Sequence, residues 1–355
     1  MGPDEHSVRI EPHGRTLRVS PLQPVLEAAL AAGLNLPHSC KSGHCGSCRA
    51  RLLSGAISYP GPQPLGITAE EAETGHILLC QARAETDLVV QARLIANVAA
   101  VEIKTLPCRI ARLTPLAPDV MQVWLRLPTV ERLQFQAGQY LDVLLDGGRR
   151  RSFSIASPPH ESELIELHVR RVSGGGFTER LFGAATAPLG EGALLRIEGP
   201  IGQFSYRPGS APIIMIGGGT GFAPLKSMLR HVLETGIRRP VHFYWGAREA
   251  RDLYEEALVL DWVRRYPELT FTAVLSGATA ARAGHRRLGL VHEAVLADHR
   301  DLAAFEVYAA GPPAMIEAIR ASFPRQGLPA ERLYFDSFDY APDDSHRGAQ
   351  VLPGT

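Results

Sequence analysis

Four of the five cysteines in this chain form one pattern: Cys40, Cys45, Cys48 and Cys80, with four residues between the first two, two between the next two, and 31 before the last. This is the ligand spacing of a plant-type [2Fe–2S] cluster. Such a cluster needs four thiolates, two per iron, gathered at one point. A short loop must therefore wrap it with the amides turned towards the sulfurs. In Cys40-Lys41-Ser42-Gly43-His44-Cys45-Gly46-Ser47-Cys48, Gly43 and Gly46 permit the turns. Ser39, Ser42 and Ser47 are small and supply donors. A zinc ribbon would use paired C-x2-C knuckles, and only Cys45/Cys48 fits that. Disulfides are disfavoured because Met1–Ile10 is polar and has no apolar core of a secretory signal. Cys40, Cys45, Cys48 and Cys80 are the expected metal ligands, and the chain is expected to carry single electrons.

At 355 residues the chain exceeds one ordinary core and implies two or three domains. Its 37 basic and 37 acidic residues balance, and no basic stripe supports nucleic-acid binding. Apolar runs such as Pro212–Ile216 and Ala257–Leu260 are far short of a membrane span. The expectation is a cytoplasmic protein with neither nucleic acid nor membrane as partner.

Three compositional stretches follow one another. Residues 7–95 mix short strands (Ser7–Ile10, Thr16–Val19, Arg49–Ser54, Ile77–Cys80, Leu88–Gln91) with a helix over Val25–Ala32 and a capping box at Thr68 and Glu71. A linker is expected over Ile95–Pro107. Up to residue 208, six alternating segments separated by Gly, Pro and Asp turns suggest an antiparallel β-barrel: Cys108–Leu113, Val120–Leu127, Tyr140–Leu145, Arg151–Ile155, Leu164–Val172 and Leu194–Glu198. From 209 to 340, strands alternate with helices (Ile213–Ile216, Pro224–Glu234, Val241–Trp245, Asp252–Tyr266, Thr270–Leu275, Glu306–Ala309, Pro313–Phe323). That alternation predicts a parallel sheet with ligand at the carboxyl ends of its strands. The polar tail 341–355 is expected to be disordered.

Three further motifs carry chemistry. In Arg149-Arg150-Arg151-Ser152-Phe153-Ser154, Arg151 can meet a phosphate, Phe153 can lie on a ring system and Ser154 can bond a ring nitrogen. Gly174-Gly175-Gly176-Phe177-Thr178 precedes a helical stretch over Glu179–Phe182 and offers backbone amides to an anion; a plain hairpin loop is the alternative. Ile216-Gly217-Gly218-Gly219-Thr220-Gly221-Phe222-Ala223-Pro224 lies between an apolar strand and a helix, where a dinucleotide pyrophosphate can approach a helix N-terminus. It is not the G-x-G-x-x-G fingerprint. Tyr308-Ala309-Ala310-Gly311-Pro312-Pro313 ends another strand and can close the same pocket.

With these motifs in this order, residues 7–340 resemble the ferredoxin-NADP⁺ reductase superfamily, in the subgroup with an N-terminal [2Fe–2S] domain. That subgroup includes oxygenase reductases and CDP-6-deoxy-Δ3,4-glucoseen reductases. The resemblance implies a multi-domain α+β and α/β chain: a β-grasp ferredoxin domain (7–95), an antiparallel β-barrel FAD-binding domain (104–208) and an α/β parallel-sheet NAD-binding domain (209–340). It implies FAD held by Arg151, Phe153 and Ser154, with Ser154 near flavin N5, and its pyrophosphate held by Gly175, Gly176 and Thr178. It implies nicotinamide dinucleotide held by Gly218, Gly219, Thr220 and Gly221, with Gly311 and Pro312 lining the hydride pocket. Phe338, in Tyr334-Phe335-Asp336-Ser337-Phe338, would cover the flavin face. Ser154, Thr220 and Phe338 are the residues it implicates in hydride transfer. NADH would reduce FAD, and single electrons would leave through the cluster to a partner protein.

The family usually has Cys where this chain has Ala310, so slower flavin reduction is expected. Cys108 reads as a buried structural thiol and His44 as a solvent-facing loop residue or a partner contact. Around Trp245, Arg248 and Arg251 would favour a 2′-phosphate while Glu249 and Asp252 oppose one; NADH is expected over NADPH. Leu106-Pro107-Cys108-Arg109 and Phe335-Asp336-Ser337-Phe338 look most like the glucoseen reductases, which makes a sugar-nucleotide dehydrase the expected acceptor. An oxygenase component is the alternative, and a redox sensor without turnover a lesser one.

Overall fold

The computed structural model describes residues 5–38, 43, 46–64, 66–94, 102–161, 163–184, 187–277 and 284–338. Ser39, Cys40, Lys41, Ser42, His44, Cys45 and the tail 341–355 lie outside them, so the expectations placed there are not addressed by it. Among the described residues no helix is long and apolar enough to cross a membrane.

The first unit is a β-grasp. His6–Glu11 and Arg15–Val19 form an antiparallel hairpin, and Leu88–Gln91 pairs parallel with the first of these. Arg49–Ser54 and His76–Leu78 complete a mixed five-stranded sheet. Alternate residues Val8, Ile10, Leu17, Val19, Leu88 and Val90 face one core, covered by helix Val25–Ala31. Thr68 caps the short helix Ala69–Glu73 through the expected reciprocal box with Glu71. The strand expected over Ile77–Cys80 ends at Leu78, because the next groups have other partners. Leu26 N–H takes the Leu79 carbonyl, Val25 N–H takes that of Ala82, and Cys80 N–H turns to Cys48 Sγ.

The second unit is a six-stranded antiparallel sheet: Lys104–Ala117, Val120–Arg126, Tyr140–Leu144, Arg150–Ser154, Leu164–Arg170 and Leu194–Ile201. A bridge between Ile155 and Leu167 joins its two edges and closes the barrel around Ile110, Val123, Leu125, Leu141, Val143 and Ile197. The expected linker is shorter than read: Lys104–Pro107 already belongs to the long first strand. Pro107 is tolerated there because that stretch pairs only with Leu194–Gly199 on one side.

The third unit is an all-parallel sheet in the order Arg287–Leu288, Leu269–Leu275, Val241–Ala247, Ile213–Gly218, Glu306–Gly311, Leu333–Ser337. Helices Phe222–Glu234, Glu256–Arg265, Val291–Asp298 and Pro313–Ser322 cover its two faces. The helix expected over Asp252–Tyr266 is broken: a 3₁₀ turn occupies Ala250–Asp252 and the α-helix starts at Glu256. The break carries Tyr254 and Glu255 down towards barrel residue His168, which lies 3.0 Å from Tyr254 OH and 3.5 Å from Glu255, while Glu255 also pairs with Lys226 of its own unit. The last strand, Leu333–Ser337, was read in sequence only as an aromatic signature; its Asp336 and Ser337 hid its strand character.

Candidate functional site

Strands Arg49–Ser54 and His76–Leu78 pair with Arg49 opposite Leu78, so the residues just before one and just after the other meet. Cys48 and Cys80 are the result. Both are buried and in no disulfide, and the Cys80 amide donates to Cys48 Sγ at 3.4 Å. Two sulfurs 32 positions apart, with an amide aimed at one of them, suit a thiolate-bound cluster. Gly43 and Gly46 adopt φ of +83° and +72°, and Gly43 accepts the Gly66 amide at 2.8 Å. A Cβ on Gly46 would lie 2.9 Å from the Gly66 carbonyl and 3.0 Å from Arg320 Nη1, so the loop is held against both. Burial, and the nearby Cys48 and Cys80, push the Tyr59 hydroxyl's pKa up. Just before the cysteine loop, Gln203 Nε2 from the end of the barrel lies 3.0 Å from the Leu36 carbonyl and 3.2 Å from His38 Nδ1, tying the two units together.

On the barrel, Arg150–Ser154 is an edge strand with Ser154 opposite Tyr140 and Arg151 opposite Val143. Arg150 pairs with Glu198, and Ser152 donates to Asp142. Arg151 is half-buried, and burial and the adjacent Arg149 charge both lower its pKa, a condition a phosphate would relieve. Phe153 sits 5.6 Å from Phe177, the first aromatic of the glycine-rich loop, so the two expected flavin motifs adjoin. The helix there begins at Gly176, three residues before the expected start. Thr178 is buried, and its hydroxyl accepts from Val172 N–H and lies 3.2 Å from the Val172 carbonyl. Its side chain therefore clamps the loop, while Gly175 has no room for a Cβ: it would fall 2.7 Å from Thr178 Oγ1. These residues fit a flavin with its pyrophosphate on the loop backbone.

In the third unit, Gly218, Gly219, Thr220 and Gly221 form the turn from strand Ile213–Gly218 into helix Phe222–Glu234. A Cβ on Gly221 would lie 1.9 Å from the Ala310 carbonyl, and one on Gly218 2.7 Å from Pro312 Cδ. The two turns expected to share a pocket are thus pressed backbone to backbone. Phe338 closes the group by donating its N–H to the Gly311 carbonyl at 3.0 Å. Trp245 Nε1 donates to the Gly219 carbonyl at 3.1 Å and stacks on Phe222 at 4.1 Å, fixing the turn from below.

One barrel residue joins this turn that sequence reading passed over. The Arg170 guanidinium would meet a Gly219 Cβ at 3.5 Å, and its buried Nε and Nη2 have no hydrogen-bond acceptor among the described residues. Its Nε keeps an ion pair at 3.5 Å with the half-exposed Asp119. A buried guanidinium against a Gly-rich turn fits an anionic dinucleotide. The signal was present in Leu164–Arg170: Glu166, His168 and Arg170 alternate on one strand face, which the nucleotide unit covers. There Lys226 Nζ lies 2.8 Å from Glu166 Oε1 and from both Glu255 oxygens, His168 Nε2 lies 3.0 Å from Glu166, and His168 Nδ1 lies 3.0 Å from Tyr254 OH. Burial alone would raise the Glu166 carboxyl, but His168 and Lys226 outweigh it and hold it well below the usual range.

Fold and site define an oxidoreductase that binds flavin and nicotinamide nucleotide and carries its own iron–sulfur domain. Residues 8–85 match the 2Fe-2S iron-sulfur cluster binding domain, 107–206 the oxidoreductase FAD-binding domain and 215–321 the oxidoreductase NAD-binding domain. The chain is 36% identical over 332 residues to the CDP-6-deoxy-L-threo-D-glycero-4-hexulose-3-dehydrase reductase of Yersinia pestis, covering 94% of this chain and 98% of that protein. It is 34% identical to terephthalate 1,2-dioxygenase reductase component 1 of a Comamonas species, covering 96% and 99%. The crystal structure of the Amycolatopsis reductase GcoB superposes with a TM-score of 0.72 at 33% identity, covering 94% and 98%. The chain belongs to the ferredoxin reductase-like family of iron–sulfur flavoproteins with an N-terminal [2Fe–2S] domain. Its cofactors are a [2Fe–2S] cluster, FAD and NAD(H), and it transfers electrons to a protein partner.

Proposed function

We propose that this chain is the NADH-dependent reductase of a dehydrase that acts on a CDP-linked 6-deoxyhexulose. The dehydrase reductase of Yersinia pestis, similar over nearly the full length of both chains, supports that acceptor. When bound, the cofactors supply the redox chemistry: FAD accepts hydride from NADH, and the cluster passes electrons on one at a time. The chain's own residues bind and orient. Gly218, Gly219, Thr220 and Gly221, with Gly311 and Pro312, hold the dinucleotide, and Arg170 adds a cation from the barrel. Arg151, Phe153 and Ser154 hold the flavin, with Gly175 and Gly176 offering backbone to its pyrophosphate and Thr178 clamping that loop. Cys40, Cys45, Cys48 and Cys80 ligate the cluster. Ser154, Thr220 and Phe338 border the hydride path. The units proposed to divide this work are 7–95, 104–208 and 209–340.

The observation that carries this reading is the convergence of the Gly218–Gly221 turn, the Gly311–Pro312 turn and Phe338 at the carboxyl ends of one parallel sheet. A second reading, delivery to an oxygenase component, is favoured by the equally complete similarity to the terephthalate dioxygenase reductase. NADH oxidation by the loaded protein, measured with a purified dehydrase and its CDP-sugar or with a purified oxygenase component, separates the two. The dehydrase pair is expected to accelerate turnover. Acceleration by the oxygenase component alone would overturn the first reading, and no NADH oxidation with ferricyanide would overturn both.

A further inference from the structure

Helix Pro313–Ser322 starts at the Gly311–Pro312 turn and ends at the iron–sulfur unit. Its 10 residues span about 15 Å. In its last turn Arg320 leaves the nucleotide unit. Its Nη2 donates to Glu71 Oε1 at 3.2 Å, 249 positions away in sequence. Its guanidinium lies 5.4 Å from the centre of the Phe335 ring, which holds it in place. Nη1 rests against Gly46, between Cys45 and Cys48. Arg49, next after Cys48, pairs with the same Glu71 oxygen. Two guanidiniums thus share one carboxylate oxygen beside Gly46 and Cys48. His76 also faces this group, its Nδ1 lying 3.1 Å from Thr74 Oγ1 and 3.3 Å from the Glu71 carbonyl. None of the cysteine, flavin or dinucleotide motifs accounts for Arg320.

The geometry points to Arg320 as a positioning residue that raises the reduction potential of the cluster from the nucleotide-binding unit. Reduction adds one electron, and so one negative charge, to the cluster. A nearby partly buried cation stabilises that state more than the oxidised one. The electron comes from NADH through the established activity. The assignment rests on the cluster being bound at Cys40, Cys45, Cys48 and Cys80.

The test is a potentiometric titration of the cluster in full-length, cofactor-loaded protein, followed by electron paramagnetic resonance. Arg320→Gln is expected to disfavour the reduced cluster about tenfold, a fall of about 59 mV for one electron. Arg320→Lys keeps the charge and is expected to stay close to the wild type. Glu71→Gln breaks the same contact but removes a negative charge, so it is expected to raise the potential. A merely structural role would move Arg320→Gln and Glu71→Gln the same way. An unchanged potential in Arg320→Gln, or shifts of one sign in both, overturns the proposal. Should Arg320→Gln not fold, Arg320→Met, neutral and of similar length, is read in its place: a lowered potential supports the assignment and an unchanged one overturns it. Iron and sulfide analysis of the wild type separates the underlying reading, since protein without a cluster fails that and not this.

Discussion

Lys226 Nζ and Glu166 Oε1 lie 2.8 Å apart, both side chains almost fully buried, and they join the helix behind the glycine-rich turn to a strand of the flavin barrel. The pair is one bond of a network with His168, Glu255 and Tyr254, so the two nucleotide-binding units meet through polar groups. Removing the cation leaves Glu166 buried with His168 but without the ammonium that helps hold it ionised. Lys226→Met is expected to cost about 3–5 kcal/mol at neutral pH. The folded-state pKa of Glu166 is depressed, so its stabilisation is complete above the ordinary value of 4.5 and is lost as pH falls below that. Thermal unfolding from pH 8 to pH 3 is expected to show a steep acid limb in the wild type and a flatter one in Lys226→Met. An equally steep limb in the variant would refute the role of the pair.

The Gly221–Ala310 approach gives a second expectation. A Cβ at 221 would meet the Ala310 carbonyl at 1.9 Å, backbone against backbone, so one turn must move away from the other. Gly221→Ala is expected to weaken NADH binding at least about tenfold, on the scale of about 1.4 kcal/mol per decade. Gly236→Ala has open space around its Cβ but a φ of +76°, so it is expected to cost about 1–2 kcal/mol of stability and leave NADH binding intact. NADH titration beside thermal unfolding checks both. Equal binding losses in the two variants would show that strain, and not turn-to-turn contact, governs the site.

The three sheets were legible in sequence because their periods differ: alternation in the barrel, and in the third unit continuous apolar strands such as Ile213–Gly218 between amphipathic helices. The capping box at Thr68 and the buried Cys108 were legible for local reasons. What was missed depends on tertiary partners. Arg170 and Lys226 read as ordinary charged positions until the units pack and cover them. The break before Glu256 follows from Lys226 drawing Glu255 inward, a contact between residues 29 positions apart. Strand Leu333–Ser337 is completed because Glu306–Gly311 presents an open edge to it, which carries pairing past Tyr334 and Phe335 to Asp336 and Ser337, residues that do not favour a strand by themselves.

Cys108 and Cys80 should separate cleanly by chemistry. Burial pushes the Cys108 thiol up to about 12, so it is expected to resist iodoacetamide at pH 8 in the folded protein. Cys108→Ala is expected to keep full iron and sulfide and to lose about 1–2 kcal/mol of stability. Cys80→Ala is expected to lose the cluster while retaining flavin. Loss of iron from Cys108→Ala would show that the fifth cysteine participates in cluster binding.

Ala310 is fully buried, pairs with Gly217 on one side and Asp336 on the other, and presses its carbonyl on Gly221. The sequence resemblance implies that the family's usual Cys at this place favours hydride transfer, so Ala310→Cys is expected to speed flavin reduction by NADH several-fold in stopped-flow bleaching. An unchanged or slower rate would argue that the pocket here is shaped for the smaller side chain.

Phe338 is half-buried, packs against the core of the nucleotide-binding unit and is tethered through its N–H to Gly311. If its ring borders the hydride path as proposed, nicotinamide must displace it, and the observed affinity is reduced by the fraction of molecules in which the ring is out of the way. The backbone tether survives truncation of the side chain, so Phe338→Ala removes the competition without freeing the chain end. NADH is then expected to bind about threefold to tenfold more tightly. Phe338→Trp, which keeps an aromatic blocker, is expected to bind no more tightly than the wild type. Equilibrium titration of the oxidised protein with NAD⁺ isolates binding from turnover. Weaker NAD⁺ binding in Phe338→Ala would mean that the ring is a wall of the nucleotide pocket and not its competitor.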